Sequence, residues 1–248
     1  MSGDVDVVDV WLIGDGTPHP ELELLYPLLD PAERQRADTA ISQEDREEFI
    51  VAHAALRYIV GGRLGVPPEQ VRWTIGPHGK PEVRGADLGP RVNLSHSRGL
   101  CMVAMTQSRR VGVDVQGLIS DSAATSLARR FFPVHEARLV AEAAADEGRV
   151  GQFARLWARK EAVVKAAGFR LTQGLAVPVH GVGPVTVELV GDGRSQSYRV
   201  ADIETPPGHR AAVALAGDED FQVALRRWTW PGVGQVDATT HPQEAVQR

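Results

Sequence analysis

Residues 110–116 read RVGVDVQ, and the reading of the whole chain turns on them. Val111, Val113 and Val115 alternate with Gly112, Asp114 and Gln116, the period of a β-strand. One face then carries the valines and the other carries Asp114 and Gln116. A carboxylate in an apolar strand costs free energy unless it is paired or metal-bound. The plain alternative is the solvated face of a half-exposed antiparallel strand. What gives the stretch its weight is its place in the chain, because the same series of elements occurs on either side of it.

On the amino-terminal side, DVDVVDVWLI (4–13) reads as a strand. Residues 30–65 read as helical, starting at Asp30-Pro31, with Phe49, Ile50, Ala54, Leu56 and Ile59 near helical spacing. Gly61-Gly62 is expected to end or interrupt that helix. VRWTI (71–75), RVNLSHS (91–97) and LCMVAMT (100–106) follow as strands separated by Gly- and Pro-bearing turns.

On the carboxy-terminal side, SDSAATSLARRFF (120–132) reads as a helix capped by Ser120 or Asp121, and a second starts at Pro133. VGQFARLWARKEAVVKAAG (150–168) reads as a long amphipathic helix stopped by Gly168. Four strands are expected over 185–191, 197–204, 210–217 and 221–230. Strand, helix and a set of strands thus occur twice. The expected class is α+β, in two similar halves at 1–113 and 114–230. The tail 231–248 has no apolar period and is expected to be mobile.

Bulk properties narrow the function. A chain of 248 residues can bury a sizeable core, and 43% hydrophobic with 24% charged residues is ordinary for a soluble protein. The formal net charge of −5 argues against general nucleic-acid binding. Cys101 is the single cysteine, which rules out an internal disulfide or a cysteine-based zinc site, and its apolar surroundings make it a core thiol. The acidic amino terminus lacks a signal-peptide pattern, and no apolar run approaches membrane-spanning length. A cytoplasmic protein with no membrane partner is expected.

Lysine is rare. Only Lys80, Lys160 and Lys165 occur among 27 basic residues, and two of them flank Glu161 in LWARKEAVVKAAG (156–168). On a helix, Trp157, Glu161 and Lys165 share one face, whereas Lys160 points about 100° away from Glu161. A surface Glu–Lys pair, worth about 0.3–0.5 kcal/mol, accounts for two of these residues. It does not account for lysine in a chain that otherwise uses arginine. A compact ammonium suits a point contact to a phosphate oxygen or a buried ion contact. GPHGKPEV (76–83) reads as a tight turn exposing backbone N–H groups and Lys80. In VNLSHS (92–97), Asn93, Ser95 and Ser97 alternate with Leu94 and His96. A lone strand histidine is more often structural than catalytic, and no G-x-S-x-G nucleophile elbow occurs.

Taken in order, GKP, NLSHS, GVDV and W-x-x-K-E-x-x-x-K-x-x-G resemble the 4'-phosphopantetheinyl transferases, in particular the monomeric, surfactin-synthetase-type branch. RRFFPVHE (129–136) is also similar to that family, and the clear match runs from about residue 76 to 174. The resemblance implies an enzyme that moves the phosphopantetheine arm of coenzyme A onto a serine of an apo acyl-, peptidyl- or aryl-carrier protein, releasing adenosine 3',5'-bisphosphate. It implies Mg²⁺ held by Asp114 and Glu161, with Glu161 also able to take the serine proton. Lys165 is expected on the pyrophosphate, and His96 on a phosphate of coenzyme A. Lys80, Pro81 and the backbone around Gly79, Asn93 and Ser95 are expected around the nucleotide.

Arg36, Arg46 and Arg57, with Arg34, are candidates for the terminal phosphates, to which arginine offers paired donors. Many members carry a second acid two residues after the aspartate. Here that place is Gln116, a weak ligand or a neighbour of a water, so somewhat weaker metal binding is expected. The family's architecture implies two halves related by a pseudo-twofold, with coenzyme A in the cleft between them and a monomer sufficient. Two other readings stay open. One is a Ser/His acyltransferase or hydrolase using Ser95 or Ser97 with His96. The other is a non-catalytic carrier-binding module of the same fold. The carrier, the pathway (fatty-acid, polyketide or non-ribosomal-peptide synthesis) and tolerance of acylated coenzyme A are not readable.

Overall fold

In the computed structural model, which describes residues 6–14, 18–76, 80–84, 89–145, 147–191 and 193–231, RVGVDVQ forms a strand at the edge of a sheet. In chain order the elements are β1 (Asp6–Gly14), the single turn α1 (Leu22–Leu25), α2 (Pro31–Asp38), α3 (Gln43–Leu64), β2 (Trp73–Ile75), β3 (Pro81–Val83), β4 (Arg91–Ser97) and β5 (Leu100–Thr106). Then follow β6 (Val111–Gly117), α4 (Asp121–Phe131), α5 (Val134–Glu142), α6 (Glu147–Ala167), the turn α7 (Leu171–Gly174), β7 (Val185–Gly191), β8 (Arg194–Ile203), β9 (His209–Ala216) and β10 (Phe221–Arg227). The class is α+β, as expected.

Local chemistry explains most boundaries. Asp30 caps α2 by accepting from the Ala32 and Glu33 amides, and Glu33 returns a bond to the Asp30 amide. The helix expected over 30–65 is two helices, because Ser42 accepts from the Asp45 amide and opens a new one after Thr39–Ile41. Gly61-Gly62 does not interrupt α3, which ends at Gly65 with φ 69°. Gly61 is required inside the helix, since a Cβ there would lie 2.7 Å from the Val66 carbonyl oxygen. Ser120 caps α4, and Gly168, with φ 74°, stops α6. Arg98 (φ 51°) and Gly99 (φ 77°) make the two-residue turn between β4 and β5, where both central residues need positive φ.

The first sheet has the order β10-β1-β5-β4 and the second β6-β9-β8-β7. Within 1–106 the first strand pairs with the last, and the last with the one before it; the second sheet repeats that scheme. One feature was not expected: β10 crosses back and pairs in parallel with β1, Val223 opposite Val8. Trp228 and Trp230 then pack near Tyr58, with ring centroids 6.4 and 5.9 Å away. β6 starts at Val111 and pairs with β9 in the second sheet. Residues 232–248, most of the expected tail, lie outside the described residues.

Three cores hold the chain. α3 covers the outer face of the first sheet through Ile50, Ala54, Val60, Cys101 and Val103. α6 covers the outer face of the second through Phe153, Ala158, Ala162, Tyr198 and Ala214. Between the sheets lies a third core that includes Val8, Val10, Met102, Val113, Val115 and Val213. This explains why β5 reads as a continuous apolar run: its odd residues face α3 and its even residues face the second sheet. The valines of β6 lie in the between-sheet core, which leaves Gly112, Asp114 and Gln116 on the side of α6.

Candidate active site

The site begins at the seam between the two sheets. β4 and β6 are edge strands of different sheets, and they are joined by side chains. Asn93 Oδ1 accepts from the Val113 amide at 2.8 Å, Ser95 Oγ from Val115 at 3.3 Å, and Ser97 Oγ from Gly117 at 3.1 Å. The alternate polar residues of NLSHS thus satisfy the alternate amides that a neighbouring strand would otherwise take.

α6 lies directly on β6. A Cβ at Gly112 would come within 2.1 Å of the Ala162 carbonyl oxygen and 2.4 Å of the Ala166 amide. Only glycine permits this approach, which brings the next inward-facing residue, Asp114, under the helix. Asp114 is 3% exposed. Lys165 Nζ donates to Asp114 Oδ1 at 2.6 Å and to Ser95 Oγ at 2.9 Å. Ser95 Oγ donates to the same carboxylate oxygen at 2.8 Å. Glu161 Oε2 lies 3.6 Å from Lys165 Nζ, one helical turn back. Trp157 Nε1 donates to Glu161 Oε1 at 2.8 Å, with its ring packed against Phe132 and Phe153.

Electrostatics follow from burial. Burial pushes the Asp114 carboxyl up to about 6, although Lys165 pulls the other way and Glu161 adds to the rise. Burial works against the Lys165 ammonium, but Asp114 and Glu161 outweigh it and raise its pKa. Asp114 Oδ2 is buried without a hydrogen-bond partner among the described residues. An orphaned carboxylate oxygen beside a second carboxylate fits a divalent cation of the kind that takes one or two protein carboxylates. Among the described residues no cluster of three or more His, Cys, Asp or Glu side chains could hold a metal, and Asp114 and Glu161 are the two carboxylates beside Lys165 that could contribute to one. Gln116 donates its side-chain amide to the Gly117 carbonyl at 2.9 Å.

The other expected site residues fall in several places. Ser95 joins the cluster by its side chain, whereas Asn93 is engaged at the seam. His96 points to the opposite face of β4, where its Nδ1 lies 3.2 Å from Glu48 Oε2. Ser95 and Ser97 both turn their hydroxyls to β6, so neither pairs with His96 as a Ser/His hydrolase would need. Lys80 is a stitch between elements: Nζ donates to the Val111 carbonyl at 2.9 Å and the Lys165 carbonyl at 2.7 Å. Burial lowers its pKa to about 8.

Arg57 is fully buried and binds Glu33, Asp30 and the Pro68 and Val71 carbonyls within the first half. Arg46 lies 3.5 Å from Asp38 and over the Tyr26 ring. Arg36 is exposed and, with Arg34, His53, Arg72, Trp73 and Pro81, lines a cavity of about 640 Å³. Gly79 lies outside the described residues. A cavity of about 720 Å³ near Trp11, Tyr58, Arg63 and Trp228 holds none of the expected residues.

Lys160 has a role that its helical angle anticipated only as supporting. Its Nζ lies 2.6 Å from Glu136 Oε2 with both side chains fully buried, and it also donates to the Val177 carbonyl. Glu136 accepts from the Val179 and His180 amides, so the pair ties α5, α6 and the segment before β7 together. Sequence reasoning missed Glu136, which has no local signal at a separation of 24 residues, and Glu48, which looked like one acid among many on α3.

Comparison with known proteins decides the family. The family model of the 4'-phosphopantetheinyl transferase superfamily matches residues 110–229. The chain is 38% identical over 165 residues to the 4'-phosphopantetheinyl transferase HetI of Nostoc sp., covering 66% of this chain and 69% of that protein. The chain belongs to the 4'-phosphopantetheinyl transferase superfamily. The enzyme is also 28% identical to the 4'-phosphopantetheinyl transferase psf-1 of Bacillus pumilus, with 78% of each chain covered. It is 24% identical to the L-aminoadipate-semialdehyde dehydrogenase-phosphopantetheinyl transferase of Xenopus laevis, covering 78% of this chain and 70% of that one. The matched span of the transferase model contains Asp114, Glu161 and Lys165 and begins at the start of the RVGVDVQ strand.

Proposed function

We propose that this enzyme transfers the 4'-phosphopantetheine arm of coenzyme A to a serine hydroxyl of an apo carrier protein, in a Mg²⁺-dependent reaction that releases adenosine 3',5'-bisphosphate. The observation that carries the reading is the convergence of Asp114, Glu161 and Lys165 at the seam, with Asp114 Oδ2 left unpartnered. It is supported by the superfamily membership. We read the chain as a monomer of the surfactin-synthetase-type branch, acting in the cytoplasm. Among the described residues no helix is long and apolar enough to cross a membrane.

The serine oxygen forms a bond to the β-phosphorus of coenzyme A, and the bond from that phosphorus to the bridging oxygen breaks. Glu161 is the base that takes the serine proton. Trp157 fixes Oε1 of that carboxylate by a hydrogen bond, and Oε2, which lies 3.6 Å from Lys165 Nζ, is the oxygen that takes the proton. Lys165 sits between the two acids and is the cation that meets negative charge building on the pyrophosphate. Asp114 and Glu161 would hold Mg²⁺, which would supply charge neutralisation on the phosphates. The nucleotide end belongs against the first half, where Arg36, Arg72, Trp73 and Pro81 line a cavity that mixes charge with an aromatic face.

The test is mass spectrometry of several apo carrier proteins incubated with the enzyme, coenzyme A and Mg²⁺. A phosphopantetheine adduct is expected on at least one. Its absence from all would refute the transfer. Chelation of the metal, Asp114→Ala and Glu161→Ala are each expected to abolish the adduct; persistence in any of them would refute the metal assignment.

A further inference from the structure

We propose that Glu48 is a positioning residue for coenzyme A: it grips the His96 imidazole through Nδ1 and aims Nε2 at a phosphate oxygen of the substrate. The inference rests on the coenzyme A reading above.

Glu48 lies within α3, on the opposite side of β4 from Asp114. Both of its oxygens are engaged. Oε2 lies 3.2 Å from His96 Nδ1, and Oε1 accepts from the Gly99 amide at 2.8 Å. The second bond anchors the carboxylate to the Arg98–Gly99 turn that carries β4 into β5. The ring is thereby fixed from two sides, by its own strand and by a carboxylate tied to the next turn. In a histidine held at one nitrogen by a carboxylate, the partner decides which nitrogen is left for a ligand. Here Nδ1 is taken. The His96 side chain is 34% exposed, and no other protein group among the described residues pairs with the ring.

The cavity of about 640 Å³ on this half is lined by Arg34, Arg36 and Arg72, which favour an anion. His209, whose Nε2 meets the Ser97 carbonyl at 3.1 Å, also lies near Glu48. The hydrogen bond from His96 is foremost in holding the Glu48 carboxyl below its ordinary range, and the Gly99 amide adds to it. Glu48 is therefore an anion already bound to this ring, and the open nitrogen is the one that a phosphate can reach.

The experiment is steady-state transfer with a working carrier, comparing the wild type, Glu48→Gln, His96→Ala and the double variant. Glu48→Gln is expected to raise KM for coenzyme A about five- to tenfold, with the loss on KM rather than kcat. The double variant is expected to be no worse than His96→Ala, because one residue acts through the other. Glu48→Asp, which keeps the charge on a shorter arm, is expected to fall between wild type and Glu48→Gln, and serves if the glutamine variant fails to fold.

Repeating the series with 3'-dephospho-coenzyme A locates the contact. Disappearance of the Glu48→Gln effect assigns the 3'-phosphate, and its persistence assigns the pyrophosphate. An unchanged KM in the glutamine and aspartate variants, or independent additive losses in the double variant, would overturn the proposal. So would a fall in KM, which would mean that Glu48 competes with the phosphate. If the wild type transfers nothing to any carrier, the functional reading itself has failed, an outcome distinct from these.

Discussion

At the scale of single residues, the site is a problem of charge held in place. Trp157 tests this most cleanly, because its ring packs on Phe132 and Phe153 while its N–H holds Glu161. Trp157→Phe keeps most of the packing and loses the donor. A roughly tenfold fall in kcat is expected, with far-ultraviolet dichroism unchanged, since a general base out of place loses a factor of this order or more. Gln116→Glu is expected to tighten Mg²⁺ binding, measured by titration of the activity; no gain would remove position 116 from the metal site. Lys160 belongs to stability. Lys160→Met strands a fully buried Glu136, and a loss of about 3–5 kcal/mol is expected in urea unfolding. Adding Glu136→Gln should recover part of it, because the stranded charge is then gone.

At the scale of elements, α6 is the part that everything else positions. Besides the Lys160–Glu136 pair, Gly112 lets it touch β6, and Arg155 and Arg159 tie it to Asp202 on β8. Gly112→Ala forces the helix off the strand. It is expected to cost about 1–3 kcal/mol by overpacking and to lower transfer further by parting Lys165 from Asp114. The Asp202 contact gives a pH dependence. Burial alone would raise the Asp202 carboxyl, but hydrogen bonds from Arg159 and Arg155 outweigh it and hold its pKa below the ordinary value. The unfolded chain therefore takes up this proton first as pH falls. The stability contributed is present above about pH 4 and is lost as pH drops through the lower folded value. Asp202→Asn should flatten the acid limb of the stability profile; an unchanged limb would mean that other carboxylates dominate.

The elements also mark how far the sequence could be read. Strands and helices around RVGVDVQ fell where their periods placed them, because each carries its own alternation or cap. The break between α2 and α3 was missed because the apolar pattern runs on while Ser42 quietly restarts the helix. Gly61 misled for a different reason: it looks like a stop signal, yet it is inside the helix because the Val66 carbonyl needs its space. That Asp114, Glu161 and Lys165 come together was anticipated by the motif order. The carbonyl contacts of Lys80 and Arg57 were not, since an arginine or lysine reads alike whether it meets a phosphate or a backbone carbonyl.

At the scale of the whole molecule, the two sheets share a core, and β10 ties the carboxy end to the first sheet. The halves are expected to unfold together. Tryptophan fluorescence reports mainly the first half, where Trp11, Trp73, Trp228 and Trp230 pack, and far-ultraviolet dichroism reports both. The two urea transitions should superimpose, and separated midpoints would show independent halves. By itself, the sequence determined what local periodicity and short motifs can encode: the class, the repeated order of elements, and the motif order that singled out Asp114, Glu161 and Lys165. Tertiary structure alone decided which of the charged residues meet each other and which meet backbone carbonyls. It also decided that β10 returns to β1, and that Glu48 meets His96. Those outcomes depend on contacts between residues far apart in the chain, whose energies exist only once the sheets and helices have packed.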